Sequence, residues 1–348
     1  MNITILLTCC LGDYMTGTIK CFKENGYGDD IRVVGVDVRP MLCNFVGVDA
    51  FYQVPRSDDP AYLGVILEIC FKEHVDVVIP LNTMELLPFE NAKSFFADHN
   101  IKVMTAGTGL NFVNDKESFA LFCKAKDIPS PLQETFTDYQ LAKEFVLEHD
   151  DITLCCKKPD SCGARGFHVI GTPGKVDAVA KDQNVISVDA LQQIIKNEGR
   201  VLIQEYLPGD EYTIDILAHH GHALLACMKK NSCMENGVAM VSEVVDEPSV
   251  LAPCVKVVSA AMLDGNVGFD LKLSSDGTPY IIDVNPRLTA TVSLCNAAGI
   301  NLPYLGLCKV LGKPLPGPIH ATVGWKCYRR IEDHFIPPEG VSSYESYE

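Results

Sequence analysis

The chain has 348 residues, 47% hydrophobic and 21% charged, which is globular composition and enough length for two or three packed domains rather than one core. A net charge of −16, from 29 basic against 45 acidic residues, excludes non-specific binding to nucleic acid or to an anionic membrane surface, since either demands a basic face. No stretch approaches the roughly 20 apolar residues of a membrane span, and the apolar start MNITILLTCCLGDYMTG lacks a preceding basic segment, so a cytoplasmic protein is expected.

The first hundred residues alternate two periods. ITILLTC (3–9), IRVVGVDV (31–38), VDVVIPL (75–81) and IKVMTA (101–106) read as short buried strands, with helices expected near 18–25, 61–73 and 84–99 between them. That alternation implies a doubly wound parallel sheet. Gly12 and Gly17 follow the first strand, but their spacing is not the G-x-G-x-x-G of a dinucleotide site.

Near residue 112 the texture changes. NDKESFALFCKAKDIPSP (114–131) is an amphipathic helix with Asn114 as the cap candidate, stopped before Pro129. ITLCCKKPDSCGARGFHVI (152–170) reads as a strand, a glycine-bearing loop and a returning strand. A helix over 187–199 precedes the strands VLIQEYL, EYTIDILAH and HALLACMKK, then a helix over 250–264 and the hairpin VGFDLKLSSDGTPYIIDVN. A short helix ends near 315, before a polar, acidic tail. The fifteen cysteines are scattered, lack any Cys-x-x-Cys pair and lie largely in apolar runs, so they read as small buried hydrophobes rather than as disulfides or zinc ligands.

Several chemistry-bearing residues fall at strand ends and loops in a fixed order. Lys116 opens a helix, Lys158-Pro159 precedes the loop Asp160–Gly166, Gln204-Glu205-Tyr206-Leu207 ends a strand, and Asp270 faces Asp283-Val284-Asn285-Pro286-Arg287 across a hairpin. This order resembles the ATP-grasp superfamily. The segments DKxxFxxxxxxxxIPxP, KPxxxxGxxG, EYLPGxEYTxDxL and IIDVNPRL, with NLPYLGLCKVLG further on, look like its carbamoyl-phosphate-synthetase-like branch, and PLNTMELLPF resembles the end of that branch's first domain.

The resemblance implies a pre-ATP-grasp doubly wound parallel sheet over 1–112, then a two-lobed ATP-grasp fold of mixed α/β and α+β character. A small lobe with a phosphate-binding glycine loop is expected over 113–188, and a C-terminal lobe with a metal-binding hairpin and tail over 189–348. Phosphate charge calls for cations from separate elements and for glycine in a loop whose N–H groups approach closely, which Lys116, Lys158, Gly163 and Gly166 fit. Adenine calls for extended backbone in an apolar slot, which Glu205, Tyr206 and Leu207 fit, with Glu211 placed for the ribose hydroxyls. Mg2+, or Mn2+ in its stead, takes hard oxygen ligands, and Asp270, Asp283 and Asn285 supply two carboxylates and an amide. Arg287 is expected beside the transferred phosphoryl group, with Lys230, and its neighbour Lys229, as further cations for the same charge.

The implied reaction joins a carboxylate to an amine through an acyl phosphate, releasing ADP and phosphate, with small-molecule substrates and a homodimeric assembly. The alternatives are bicarbonate activation of the carbamoyl-phosphate kind, or an ATP-binding regulatory module without turnover. Glu85 is implied as a contact for an amine-bearing substrate, Thr289 and Thr291 as walls of the specificity pocket, and the cluster His219, His220 and His222 reads as a solvated turn.

Overall fold

The computed structural model describes residues 2–41, 46–158, 166–171, 185–235, 237–317, 319–330 and 332–335. Gly163, expected in the phosphate-binding loop, and the acidic tail from 336 onward lie outside those residues.

The N-terminal sheet holds β1 (Asn2–Leu7), β2 (Asp30–Asp37), β3 (Ala50–Gln53), β4 (Val77–Ile79) and β5 (Lys102–Val103), all parallel, in the order β3-β2-β1-β4-β5. Their runs are apolar on both faces because both faces are covered. One face meets α1 (Met15–Lys23). The other meets α2 (Tyr62–Glu73), α3 (Thr83–Asn91) and α4 (Lys93–Asp98), with Leu6, Val34 and Val36 against Ile66, Phe89 and Phe96. The single helix expected over 84–99 is two, broken at Ala92, and Pro88 lies inside the first. The sheet's order reverses between β1 and β4, so the loops after those strands open a crevice at their carboxyl ends.

After α5 (Leu110–Val113), α6 (Lys116–Ala125) is capped by Asp115 rather than Asn114. The Asp115 carboxylate accepts from the N–H groups of Glu117 and Ser118 at 3.1 and 2.9 Å, because the helix starts one residue later than the sequence pattern suggests.

The middle lobe contains β6 (Gln133–Phe136), α7 (Tyr139–Glu148), β7 (Leu154–Lys157), β8 (His168–Gly171), β9 (Val185–Ser187), α8 (Ala190–Glu198) and β10 (Val201–Glu205), with sheet order β6-β10-β7-β8-β9. Its own core joins Phe136, Phe145, Leu154, Cys156, Leu191 and Ile203. The boundary expected at 188 therefore falls inside this lobe, since α8 and β10 belong to it. Conversely α6, assigned to it from sequence, sends Phe119 and Phe122 into the core of the C-terminal lobe.

The C-terminal sheet is antiparallel, in the order β15-β14-β11-β12-β13-β16, from β11 (Glu211–His219), β12 (His222–Glu235), β13 (Val238–Val245), β14 (Gly265–Leu273), β15 (Pro279–Asn285) and β16 (Lys326–Tyr328). One face buries Tyr212, Ile214, Phe269 and Leu271 against α9 (Pro248–Ala260). The far end shares a core with the N-terminal domain through α10 (Val292–Ala297) and α11 (Leu302–Leu311), where Leu302 and Leu305 meet Ile19 and Phe22. Asn301 Nδ2 donates to the Cys21 carbonyl at 2.7 Å and the Tyr304 hydroxyl donates to Asp29 at 2.6 Å across the same junction. No described helix is long and apolar enough to cross a membrane. The described cysteines are free thiols, most of them buried.

The approach of α11 to β14 rests on Gly306, where an added Cβ would stand 1.9 Å from Asn266 Oδ1. Gly306→Ala is expected to lower stability by about 1–3 kcal/mol, read from denaturant midpoints, through overpacking at that contact. An unchanged midpoint would place the helix further from the strand.

Candidate active site

The inner face of the C-terminal sheet is polar, and strand register lines its groups up. Asp283 pairs with Asp270, Asp270 with Thr213, and Thr213 with Lys229, giving a cross-strand row over four strands. The next row holds Glu211 opposite Lys272. In β15 a bulge beside the Asp270 pairing lets Ile281 and Val284 both enter the core while Asp283 and Asn285 face the site.

Asp270 is the most constrained of these carboxyls. It accepts from Thr213 Oγ1 at 2.8 Å and from Asn285 Nδ2 at 2.9 Å. Burial, then the charge of Asp283, pushes its pKa up to about 7. Asn285 Oδ1 accepts from Arg287 Nη2 at 3.0 Å, and Arg287 Nη1 donates to the Leu288 carbonyl at 2.9 Å. Two carboxylates facing one another, one of them held well above the usual carboxylate range, form a site that a hard dication relieves, so the donor set fits Mg2+ or Mn2+.

Cations approach from two directions. Lys116, at the start of α6, places Nζ 3.2 Å from Asp283 Oδ1. Lys157, at the end of β7, is depressed below the ordinary lysine value by burial, while Lys116 lowers it and Asp283 raises it. Lys158 lies on the opposite face of β7 and pairs with Glu198 of α8 at 3.0 Å. Parity explains the split, since Leu154 and Cys156 turn into the lobe core and the alternate residues Cys155 and Lys157 turn out of it.

The same parity divides the second lysine pair. Lys230 pairs with Asp210 at the rim, at 2.6 Å, whereas Lys229 is fully buried on the inner face. Thr289 and Thr291 are buried with their hydroxyls engaged inside the lobe, so they do not wall an open pocket.

Residues 206–210 connect β10 to β11, the step between the two lobes. The Glu205 N–H donates to the Leu132 carbonyl and the Tyr206 N–H to the Thr153 carbonyl, both at 2.8 Å, and Leu207 is buried. Among the described residues the Leu207 N–H has no hydrogen-bond partner, as an adenine donor in an extended hinge requires. Lys272 lies 5.7 Å from the Tyr206 ring and 3.9 Å from Glu211, whose pKa burial raises. Gly166 has φ +71, backbone that favours glycine.

Glu85 belongs to the N-terminal domain, buried at the start of α3 and accepting from the Thr8 hydroxyl and the Cys9 thiol. His219 and His220 gather around Asp264, whose Oδ1 is already paired to Lys309 at 2.8 Å.

Two family models match parts of the chain. Residues 197–327 match the model of the ATP-grasp family in the biosynthetic pathway with Ter operon, and residues 5–104 match the PylC-like N-terminal domain. The chain thus contains an ATP-grasp domain over 197–327. Its fold is shared by an L-amino acid ligase from Bacillus licheniformis, with TM-score 0.63, 16% identity, and 92% of this chain and 75% of that one covered. A Staphylococcus aureus N5-carboxyaminoimidazole synthetase complexed with ADP gives TM-score 0.68, 13% identity and coverage of 92% and 80%. A biotin carboxylase from Campylobacter jejuni gives 0.68, 16% and coverage of 92% and 73%. In sequence, a bifunctional purine biosynthetic protein of Pichia angusta is 24% identical over 184 residues, which span 51% of this chain and 22% of that protein.

The Asp270 shift sets a pH dependence. Because its folded pKa is raised, the protonated carboxyl contributes stability at low pH, and that contribution is lost as pH rises through about 7. A dication needs the carboxylate form, so Mg2+ should raise the unfolding temperature more at about pH 8 than at about pH 6, and Asp270→Asn should remove the difference. Equal shifts at both pH values would contradict the assignment.

Proposed function

We propose that this protein is an ATP-dependent ligase that activates a carboxylate as an acyl phosphate and passes the acyl group to an amine. The observation that supports the reading is the Lys116–Asp283 ion pair beside the Asp270–Asp283 row, with Lys157 at the end of β7 turned out of the middle lobe's core. Two lysines and two carboxylates around one cleft suit a triphosphate that bridges them through a dication.

In this reading Lys116 and Lys157 hold phosphate oxygens, the Leu207 N–H and the neighbouring extended backbone hold adenine, and Glu211 accepts from the ribose. Mg2+ held by Asp270, Asp283 and Asn285 supplies neutralisation of phosphate charge. A substrate carboxylate oxygen attacks the γ-phosphorus as the bond to the β-phosphate oxygen breaks, and ADP departs. Arg287, next in the chain to the Asn285-Pro286 corner, stabilises the charge spread over the transferred group. The amine then attacks the acyl carbon, loses a proton, and displaces phosphate. Closure of the middle lobe, which has a core of its own, keeps water from the acyl phosphate.

ADP release that requires one carboxylate and one amine is the expected result of a substrate screen. Release that requires bicarbonate alone would assign carbamoyl-phosphate-type chemistry, and tight ATP binding without release would assign a regulatory module. Arg287→Ala is expected to abolish turnover while nucleotide affinity stays near wild type, because its contact forms in the transition state. Lys157→Met is expected to weaken ATP binding, measured by calorimetry, on the order of tenfold or more, while Lys158→Met changes it little. The reverse order would place Lys158 at the phosphates.

A further inference from the structure

Lys229 lies on the inner face of the sheet, in the same cross-strand row as Asp283 and Asp270, yet its donors are directed away from a ligand. Its Nζ is ion-paired to Asp215 and donates to Thr291 Oγ1 at 2.5 Å, and the side chain is 0% exposed. The Asp215 carboxylate accepts from Thr289 Oγ1 at 2.8 Å and from the Cys295 thiol at 3.3 Å. Thr289 and Thr291 belong to the segment 286–291, which joins β15 to α10 and carries Arg287. The fit against the sheet is close, since a Cβ on Gly268 would stand 2.0 Å from Thr289 Cγ2.

A buried ion pair is weak as a source of stability, because its desolvation cost offsets most of the attraction, and apolar pairs of similar volume commonly replace it without loss. What an apolar pair lacks is directional grip. An ammonium has three donors and a carboxylate about four acceptor sites, so the pair can neutralise itself and still bond two hydroxyls.

We infer that the buried Asp215–Lys229 pair is a positioning device for Arg287: by holding Thr289 and Thr291 it fixes the backbone from which Arg287 reaches the transferred phosphoryl group. Lys229 is thus a positioning residue rather than a phosphate ligand. The inference rests on the ligase reading for the role of Arg287, but not for what the pair holds.

Lys229→Met alone would strand the Asp215 carboxylate, so the informative variant removes both charges, Asp215→Leu with Lys229→Met. The expected result is a near wild-type unfolding midpoint, an ATP KM within about twofold of wild type, and a kcat lower by on the order of 10- to 100-fold. Amide hydrogen exchange over 286–292 should accelerate while β14 keeps its protection. Thr289→Val with Thr291→Val preserves both charges and side-chain volume, and should give the same kcat loss and the same faster exchange; it decides the matter if the first pair does not fold. Wild-type kcat in either folded variant, or a loss seen in the ATP KM rather than in kcat, would overturn the inference. If the wild-type protein shows no carboxylate-dependent ADP release, the ligase reading fails separately, and exchange over 286–292 still decides, with unchanged rates in both variants overturning the positioning role.

Discussion

The structure is organised around two carboxyl groups that oppose each other across a hairpin, the first of which, Asp270, is held well above the usual carboxylate range by burial and by the charge of the second. Register places Asp270 against Asp283, burial removes water from the first, and the hydrogen bonds from Thr213 and Asn285 leave its oxygens aimed along the inner face. Lys116 supplies partial compensation at 3.2 Å. Lys157 is held near the same charges from the other lobe, in a position that would be costly for an ammonium without an anion to share. In the proposed ligase a metal-bound polyphosphate would complete both halves of the cleft.

The fold delivers these groups by dividing labour among its cores. The N-terminal domain and the C-terminal lobe share apolar packing through α10 and α11, which makes them one support. The middle lobe packs on its own residues and joins that support through 206–210. Lys116 is anchored to the C-terminal lobe by Phe119 and Phe122, so of the two proposed phosphate cations one belongs to the support and the other, Lys157, to the middle lobe. Arg287 in turn stands on a short segment pinned to the sheet by the two threonines.

Most of the frame was legible from periodicity. The parallel N-terminal strands are continuous apolar runs, and the 267–285 hairpin carries its own turn residues, so both were readable. The short edge strands β3, β6 and β16, together with β13, α7 and α10, were not, because brief segments of mixed polarity carry little period and owe their form to what they pack against. Within the site the difficulty was parity. Lys157-Lys158 and Lys229-Lys230 each offer two adjacent cations, and only strand register says which turns inward. The neighbouring Cys155-Cys156 pair hides the alternation that would have told them apart, since both thiols are apolar enough for either face. Likewise nothing in the EYTIDILAH run marks Asp215 as buried, although its strand lies in the middle of a sheet whose inner face is covered by 286–291.

The most direct test is a crystal structure of the protein with a non-hydrolysable ATP analogue and Mn2+, with the metal located by its anomalous signal. Manganese at about 2.1 Å from oxygens of Asp270 and Asp283, with the analogue's phosphates between Lys116 and Lys157, is the predicted result. A nucleotide bound elsewhere, or phosphates lodged against the Lys158–Glu198 side of β7, would contradict it.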